Sequence, residues 1–538
     1  MFSSALFSKR NLFLLAIIAI SLIFTSPKWS TFIALWVHFA FLLRYTRDHN
    51  WKGWLLLFPI LYIGNVIGQA EVIPMPLSMV AIFMLVGSLI SLIPLLADRL
   101  LHHRLPNWAK TLLFPTALTL FQYVMDQGPQ GTWGNPVYTQ YSFLPLMQTA
   151  SIFGLYGINF LVAWTASFAN QWYEDRQTNR AFAAVNWLMP ISLAVVLLFG
   201  SYRLLQNDDS DDVVSMATVA TNSFDVVGSM YEAAFDSAIE LSVEMSQSDP
   251  AFVEVQKGIA AFMAAPDSSL FTEVLETMDA QLDKYAAATR EAATQGAKIV
   301  TWSEAAIFNI KSREQQYEQL AASLANELDI YLFFPTAVFH PEKFGIAPHF
   351  IENKVLAFSP EGELLNTYFK NIPIAGVEPS FPGDGNIPVI ETPYGNLSPL
   401  ICYDADHPNL VAQVSQQATD MLVVPTGDWK AISPYHTQMA VVRCIENGVS
   451  MLKATNGGLS AMIDDKGRMQ ASYDFYDEAD MKVLVHELPI QSSDTAYATF
   501  APLFIQVLFG FFLLCSFYAI LSFFLKRKQR PALEVANV

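Results

Sequence analysis

The chain predicts a multi-span α-helical membrane domain joined to an α/β domain with a mixed sheet, and three observations carry that expectation. Of 538 residues, 53% are hydrophobic and 15% charged, which is apolar for a soluble protein of this size. The apolar residues gather at 11–25, 30–45, 53–68, 76–97, 111–125, 149–170 and 186–205, with an eighth stretch at 499–525, and these approach the about 20 residues that span a bilayer. Residues 206–498 between the last two stretches carry 42 acidic and 15 basic side chains, a net −27, against +9 for the remainder.

The expected organisation is an N-terminal membrane domain over 1–205 with about seven transmembrane helices, an exported domain over 206–498, a C-terminal transmembrane helix over 499–525 and a basic tail over 526–538. The stretches at 53–68 and 111–125 are short, so re-entrant or tilted segments stay open there. Lysine and arginine near span ends resist translocation. They follow alternate spans: Lys9 and Arg10 before the first, Arg44, Arg47 and Lys52 after the second, Arg99, Arg104 and Lys110 after the fourth, Arg176 and Arg180 after the sixth. The tail "KRKQR" at 526–530 closes on the same basic side. The acidic domain then falls on the opposite face, outside the cytoplasm. No A-x-A cleavage pattern follows the first span, which reads as a retained helix. An acidic domain also argues against nucleic acid as a partner, because phosphate binding needs a basic face.

Within the exported domain, "VVSMATVA" at 213–220, "AKIVTW" at 297–302 and "DIYLFFPTAV" read as strands, and 229–296 reads as helices interrupted near "AAPDSS". "KVLAFSPEGELLNTYFK" alternates about the turn "SPEG" as a hairpin does. "IPVIETPYGNLSPLIC" repeats the pattern, followed by strand "MLVVP", a helix over about 434–447, strand "GVSMLKA" and a last hairpin about "DDKG". Helix–strand units mixed with hairpins predict an α/β or α+β class with a mixed sheet.

The three cysteines, Cys402, Cys444 and Cys515, stand far apart, and two in one domain make a thin case for a disulfide. No C-x-x-C or H-E-x-x-H pattern is present, so no metal or other cofactor is expected. Cys402 closes the apolar run "NLSPLIC", where it reads as the last residue of a buried strand. A cysteine there is more often a small core residue than a nucleophile. Two more strand ends change the balance: Glu304 closely follows "KIVTW", and Lys370 ends "LLNTYFK". A thiol needs a base to become a thiolate, an ammonium can stabilise thiolate and oxyanion, and a carboxylate can shuttle the proton. His407, five residues past the cysteine, is not needed in such a site. Asp428 and Trp429 follow a strand as pocket-lining candidates, Tyr435 and His436 open a helix, and the pair His102–His103 lies in a basic loop and reads as solvated.

"TWSEAA", "YFKNIPIAGVE" and "LICYDADHP", in that order, resemble the Glu–Lys–Cys signature of the nitrilase, or carbon–nitrogen hydrolase, superfamily, and "PTGDW…HTQMAVVRCIENGVSMLKATNGGLSAMID" resembles its ending. Such a domain set between N-terminal spans and one C-terminal span resembles the bacterial apolipoprotein N-acyltransferase family. The resemblance implies an αββα sandwich, with Glu304 as general base, Lys370 as oxyanion stabiliser and Cys402 as nucleophile. It implies auxiliary or substrate-binding roles for Glu378, which would orient the lysine or gate the pocket, and for Tyr403, Asp404 and Trp429. Asp404 stands where the family carries glutamate, and Ser303 where a proline precedes the base. These departures leave the triad intact and the acyl acceptor open. The implied reaction moves a fatty acyl group from a phospholipid donor, through a cysteine thioester, to the N-terminal amine of a diacylglyceryl-cysteine lipoprotein, at a bacterial inner membrane. The rivals are a membrane-anchored amidase, an N-acyltransferase with another acceptor, and a degenerate binding module. Donor head group, chain length and oligomeric state are left open.

Overall fold

The computed structural model describes residues 7–206, 213–221, 224–241, 250–477, 481–490 and 492–535. It divides into two units, one from the N-terminal segment to Gln206 together with Ala496 onward, the other Asn207–Thr495.

The first unit is helical. Its principal helices, Lys9–Ile23, Phe32–Asp48, Trp51–Gln69, Leu77–Ile90, Asn107–Asp126, Ala150–Gln177, Leu188–Leu205 and Tyr497–Val535, overlie all eight apolar stretches. Among the described residues, five segments are long and apolar enough to cross a membrane: Trp51–Gln69, Leu77–Arg104, Ala150–Gln177, Ala184–Leu205 and Tyr497–Leu525. Side chains such as Ile82, Leu198, Leu514 and Phe517 stand exposed on them, as expected of helices that face lipid. Charge inside the unit is paired: Arg47 donates to both oxygens of Asp98, at 2.8 and 2.9 Å. One expectation fails here. His102 is not solvated; it is buried, with Nε2 3.0 Å from Gln171 Oε1, because it follows the Ile93–Leu101 helix back into the bundle.

The second unit is a sandwich of two sheets built from β1 (Val213–Thr221), β2 (Ile299–Trp302), β3 (Ile307–Ile310), β4 (Tyr331–Phe339), β5 (Ile351–Phe358), β6 (Leu364–Phe369), β7 (Ile390–Thr392), β8 (Gly395–Pro399), β9 (Met421–Gly427), β10 (Ser450–Asn456), β11 (Leu459–Ile463), β12 (Met469–Asp474) and β13 (Met481–Pro489). One sheet runs β13-β1-β2-β4-β5-β6 with β3 paired to β4; the other runs β12-β11-β10-β9-β8-β7. Each is mixed: β1, β2 and β4 are parallel, as are β8, β9 and β10, and hairpins complete both edges. Helices Thr272–Thr294 and Glu314–Leu328 cover the first sheet, where Tyr285, Ala288, Tyr317 and Ala321 pack on Val300, Trp302, Leu332 and Phe334. Tyr285 stacks on Trp302 with ring centroids 4.7 Å apart. Helix Tyr435–Asn447 covers the second sheet, and β1 and β2 face β10 across the interior. This is the αββα arrangement. The extra helices of the long stretch, Phe224–Phe235 and Pro250–Ala264, add a satellite core in which Met230, Phe262, Phe271 and Met278 meet Ile310 and Phe339.

Two parallel sets, one in each sheet, bring the C-terminal ends of β2, β8, β9 and β10 to one region. Open α/β sheets present their chemistry at such ends.

Candidate active site

Glu304 leaves β2 on a buried turn and reaches across to the second sheet, where its N–H donates to Thr426 O at 3.3 Å and its Oε2 accepts Gly427 N–H at 2.8 Å. Its Oε1 accepts from Asn353 of β5 at 2.7 Å and from Lys370 Nζ at 2.9 Å. Burial would raise this carboxyl, but the Lys370 charge and the hydrogen bonds from Lys370, Asn353 and Cys402 hold it below the usual glutamate range.

Lys370 follows β6, its N–H fixed to Asn353 O at 2.9 Å. It has no exposed surface, and Nζ also donates to Glu378 Oε1 at 2.7 Å. Burial disfavours the ammonium; Glu304, Glu378 and Cys402 overcome it and hold the lysine charged, far above its ordinary value. Glu378 arrives on a turn closed by its N–H to Ile374 O, 2.9 Å. Burial and the neighbouring Glu304 push its carboxyl up despite Lys370, and its Oε2 has no hydrogen-bond partner among the described residues.

Cys402 corrects the expectation of a strand end. Strand β8 stops at Pro399, and Cys402 opens a 3-10 turn over Cys402–Asp406 with φ +48°. A left-handed conformation costs a non-glycine residue about 1–3 kcal/mol and recurs where a side chain must be aimed. Sγ lies 3.8 Å from Gly427 O. Burial and the Glu304 charge push the thiol well up, with Lys370 opposing; the resting group is a neutral thiol.

Asp404, singled out from sequence as auxiliary, turns inward. Its oxygens accept from Tyr368 Oη at 2.7 Å, Ile372 N–H at 2.8 Å, Asn371 N–H at 3.2 Å and Ile401 N–H at 3.3 Å. It is fully buried and ties the Cys402 turn to the segment that leaves Lys370. Burial raises its carboxyl to about 6. Tyr403 is half-buried and packs edge-on to His407 at 5.0 Å. Trp429 is half-buried just past β9.

Several members of the cluster escaped the sequence reading. Asn353 sits inside a regular strand and carries no motif. His436, foreseen only as opening a helix, is buried between Asp428, 2.6 Å from Nδ1, and Asp406, 3.4 Å from Nε2. Both ring nitrogens face carboxylates, which require both to be protonated; burial lowers the imidazole, but Asp428 and Asp406 bring it up to about 9. Cys402, Asp428 and His436 bring a sulfur, a carboxylate oxygen and a ring nitrogen within 4.8 Å of one another. That set has metal-ligand types, but both ring nitrogens of His436 already face carboxylates, Asp428 and Asp406.

The comparisons with known proteins agree with this architecture. The model of the apolipoprotein N-acyltransferase N-terminal domain matches residues 5–168, and that of carbon–nitrogen hydrolase matches 259–496. An apolipoprotein N-acyltransferase of Geobacter metallireducens is 25% identical over 69% of this chain and 67% of its own length. Its counterpart in Rickettsia typhi is 23% identical over 66% of each, and that of Borreliella burgdorferi 23% identical over 88% of this chain and 84% of its own. The chain thus spans about two thirds of the length of the first two relatives. Among solved structures, an amidase from Nesterenkonia sp. aligns at 20% identity and TM-score 0.36 over 43% of this chain and 90% of that one. The chain thus joins an apolipoprotein N-acyltransferase N-terminal domain on its helical unit to a carbon–nitrogen hydrolase domain on its sandwich, and the relatives it matches along two thirds or more of its length are apolipoprotein N-acyltransferases.

Proposed function

We propose that this membrane acyltransferase moves a fatty acyl group from phospholipid, through a thioester on Cys402, to the N-terminal amine of a diacylglyceryl-cysteine lipoprotein, with Glu304 as base and Lys370 as oxyanion stabiliser. The observation that carries the reading is the buried Lys370 ammonium bonded to Glu304, both coupled electrostatically to the Cys402 thiol.

In the first half-reaction the Cys402 thiol gives its proton to Glu304 as sulfur attacks the donor ester. Lys370 holds charge opposite the developing thiolate and then the oxyanion, a term typically worth about 10²–10³ in rate per donor. Collapse expels the lysophospholipid alcohol, which takes the proton from Glu304. In the second half-reaction an amine attacks the thioester and sulfur leaves. A phospholipid donor explains why such a site is carried by a chain with apolar spans, since its acyl chains cannot cross much water. The catalytic domain stands outside the cytoplasm, a reading supported by the basic loops on alternate sides of the spans.

Incubation with phospholipid and a diacylated lipopeptide tests the reading: acyl transfer to the peptide amine supports it, and free fatty acid as the sole product overturns it in favour of hydrolysis. A reporter fused after residue 210 registers outside; a cytoplasmic signal overturns the orientation.

A further inference from the structure

Resting on acyl transfer through Cys402, we propose that Asp428 binds the ammonium group of the acyl acceptor and sets its nitrogen for attack on the thioester. The Asp428 side chain has no exposed surface. Its Oδ1 accepts from His436 at 2.6 Å, while Oδ2 has no hydrogen-bond partner among the described residues. A buried acceptor left unmet costs about 1–3 kcal/mol, and a donor from a ligand satisfies it.

Gly458 lies against that oxygen: an added Cβ there would stand 2.7 Å from Asp428 Oδ2, so a side chain at 458 would displace the carboxylate. The position suits the reaction as well. An Asp428 oxygen, His436 and Cys402 Sγ lie within 4.8 Å of one another, and the attacking nitrogen must stand about 3–3.5 Å from a carbon bonded to that sulfur. The other carboxylates are engaged or less charged: Glu304 is held at both oxygens, and Glu378 is pushed toward its protonated form by burial and by Glu304.

The step balances. Asp428 takes one proton from the bound ammonium, and the freed nitrogen lone pair forms the C–N bond. The C–S bond breaks with its electron pair on sulfur, and a second N–H proton passes through Glu304 to Cys402. Amide and thiol result, and Asp428 gives up its proton once the amide has left and water enters the site.

The test uses the full chain in detergent, loaded with labelled acyl chain from phospholipid and then offered either a lipopeptide amine or hydroxylamine, which is uncharged near neutral pH. In Asp428→Asn, discharge to the ammonium-bearing peptide relative to discharge to hydroxylamine from the same loaded protein should fall about 10–100-fold, the value of a charge-assisted bond. Equal discharge to the peptide, equal losses to both nucleophiles, or failure to load label overturns the proposal. A parent protein that never loads label overturns the acyltransfer reading instead. Should Asp428→Asn not yield folded protein, Gly458→Ala crowds the same oxygen and should give the same amine-selective loss; an unchanged partition overturns the proposal.

Discussion

The Lys370 ammonium lies 2.9 Å from the Glu304 carboxylate and has no exposed surface of its own. A pair so buried is strongly destabilised when one partner is removed, by about 3–5 kcal/mol, because the other charge is left behind. Lys370→Met should therefore lower thermal stability and also slow thioester formation by about 10²–10³-fold. Labelled-phospholipid kinetics beside a melting curve check both; normal acylation would remove Lys370 from the mechanism.

Glu378 shares the same ammonium, at 2.7 Å. Glu378→Gln keeps an oxygen for Lys370 and should acylate within about tenfold of the parent, whereas Glu378→Ala removes the orienting contact and should do worse, each tenfold being 1.4 kcal/mol. Equal rates for the two variants would contradict the orienting role.

Asp404 fastens the Cys402 turn to the segment after Lys370. Asp404→Asn keeps one acceptor oxygen but turns an amide toward groups that donate, Tyr368 and the Ile372 and Asn371 N–H groups. A loss of about 1–3 kcal/mol per unmet buried group follows, read as a lower denaturation midpoint. Acylation should fall with it, since the same residue fixes the Cys402 turn. Unchanged stability would refute the fastening.

The His436 imidazolium links stability to pH. Its ring is raised from 6.5 to about 9, against burial, by Asp428 and Asp406. Proton binding that is tighter in the folded state stabilises fully below the unfolded value and is lost as pH rises through the folded one. The melting temperature of the parent should thus decline between about pH 6.5 and 9 more steeply than that of His436→Gln. Parallel curves would show that the histidine is not charged in the fold.

Much of this was legible in advance where chemistry and hydrophobic pattern coincide. Glu304 and Lys370 each follow an apolar run that ends abruptly, and strand ends are where a scaffold presents side chains. Cys402 was legible as a candidate, but its backbone was not: a left-handed φ at a non-glycine residue has no sequence signal, and Pro399 had already closed the strand. Asn353 was hidden because a polar residue inside an alternating strand reads as solvent-facing. Asp406 and His436 were hidden because their pairing joins a turn after β8 to a helix after β9, and nothing local announces that contact. In the membrane unit, the stretches at 53–68 and 111–125 lie inside the longer helices Trp51–Gln69 and Asn107–Asp126, whose more polar ends the hydropathy pattern did not mark.

The most direct measurement locates the acyl group. The full chain is incubated with phospholipid carrying a labelled acyl chain, quenched, digested and mapped by mass spectrometry. The predicted result is label on the peptide containing Cys402, released by hydroxylamine and absent from Cys402→Ala. Label on Cys444 or any other residue, or acyl transfer to lipopeptide by Cys402→Ala, would contradict the account.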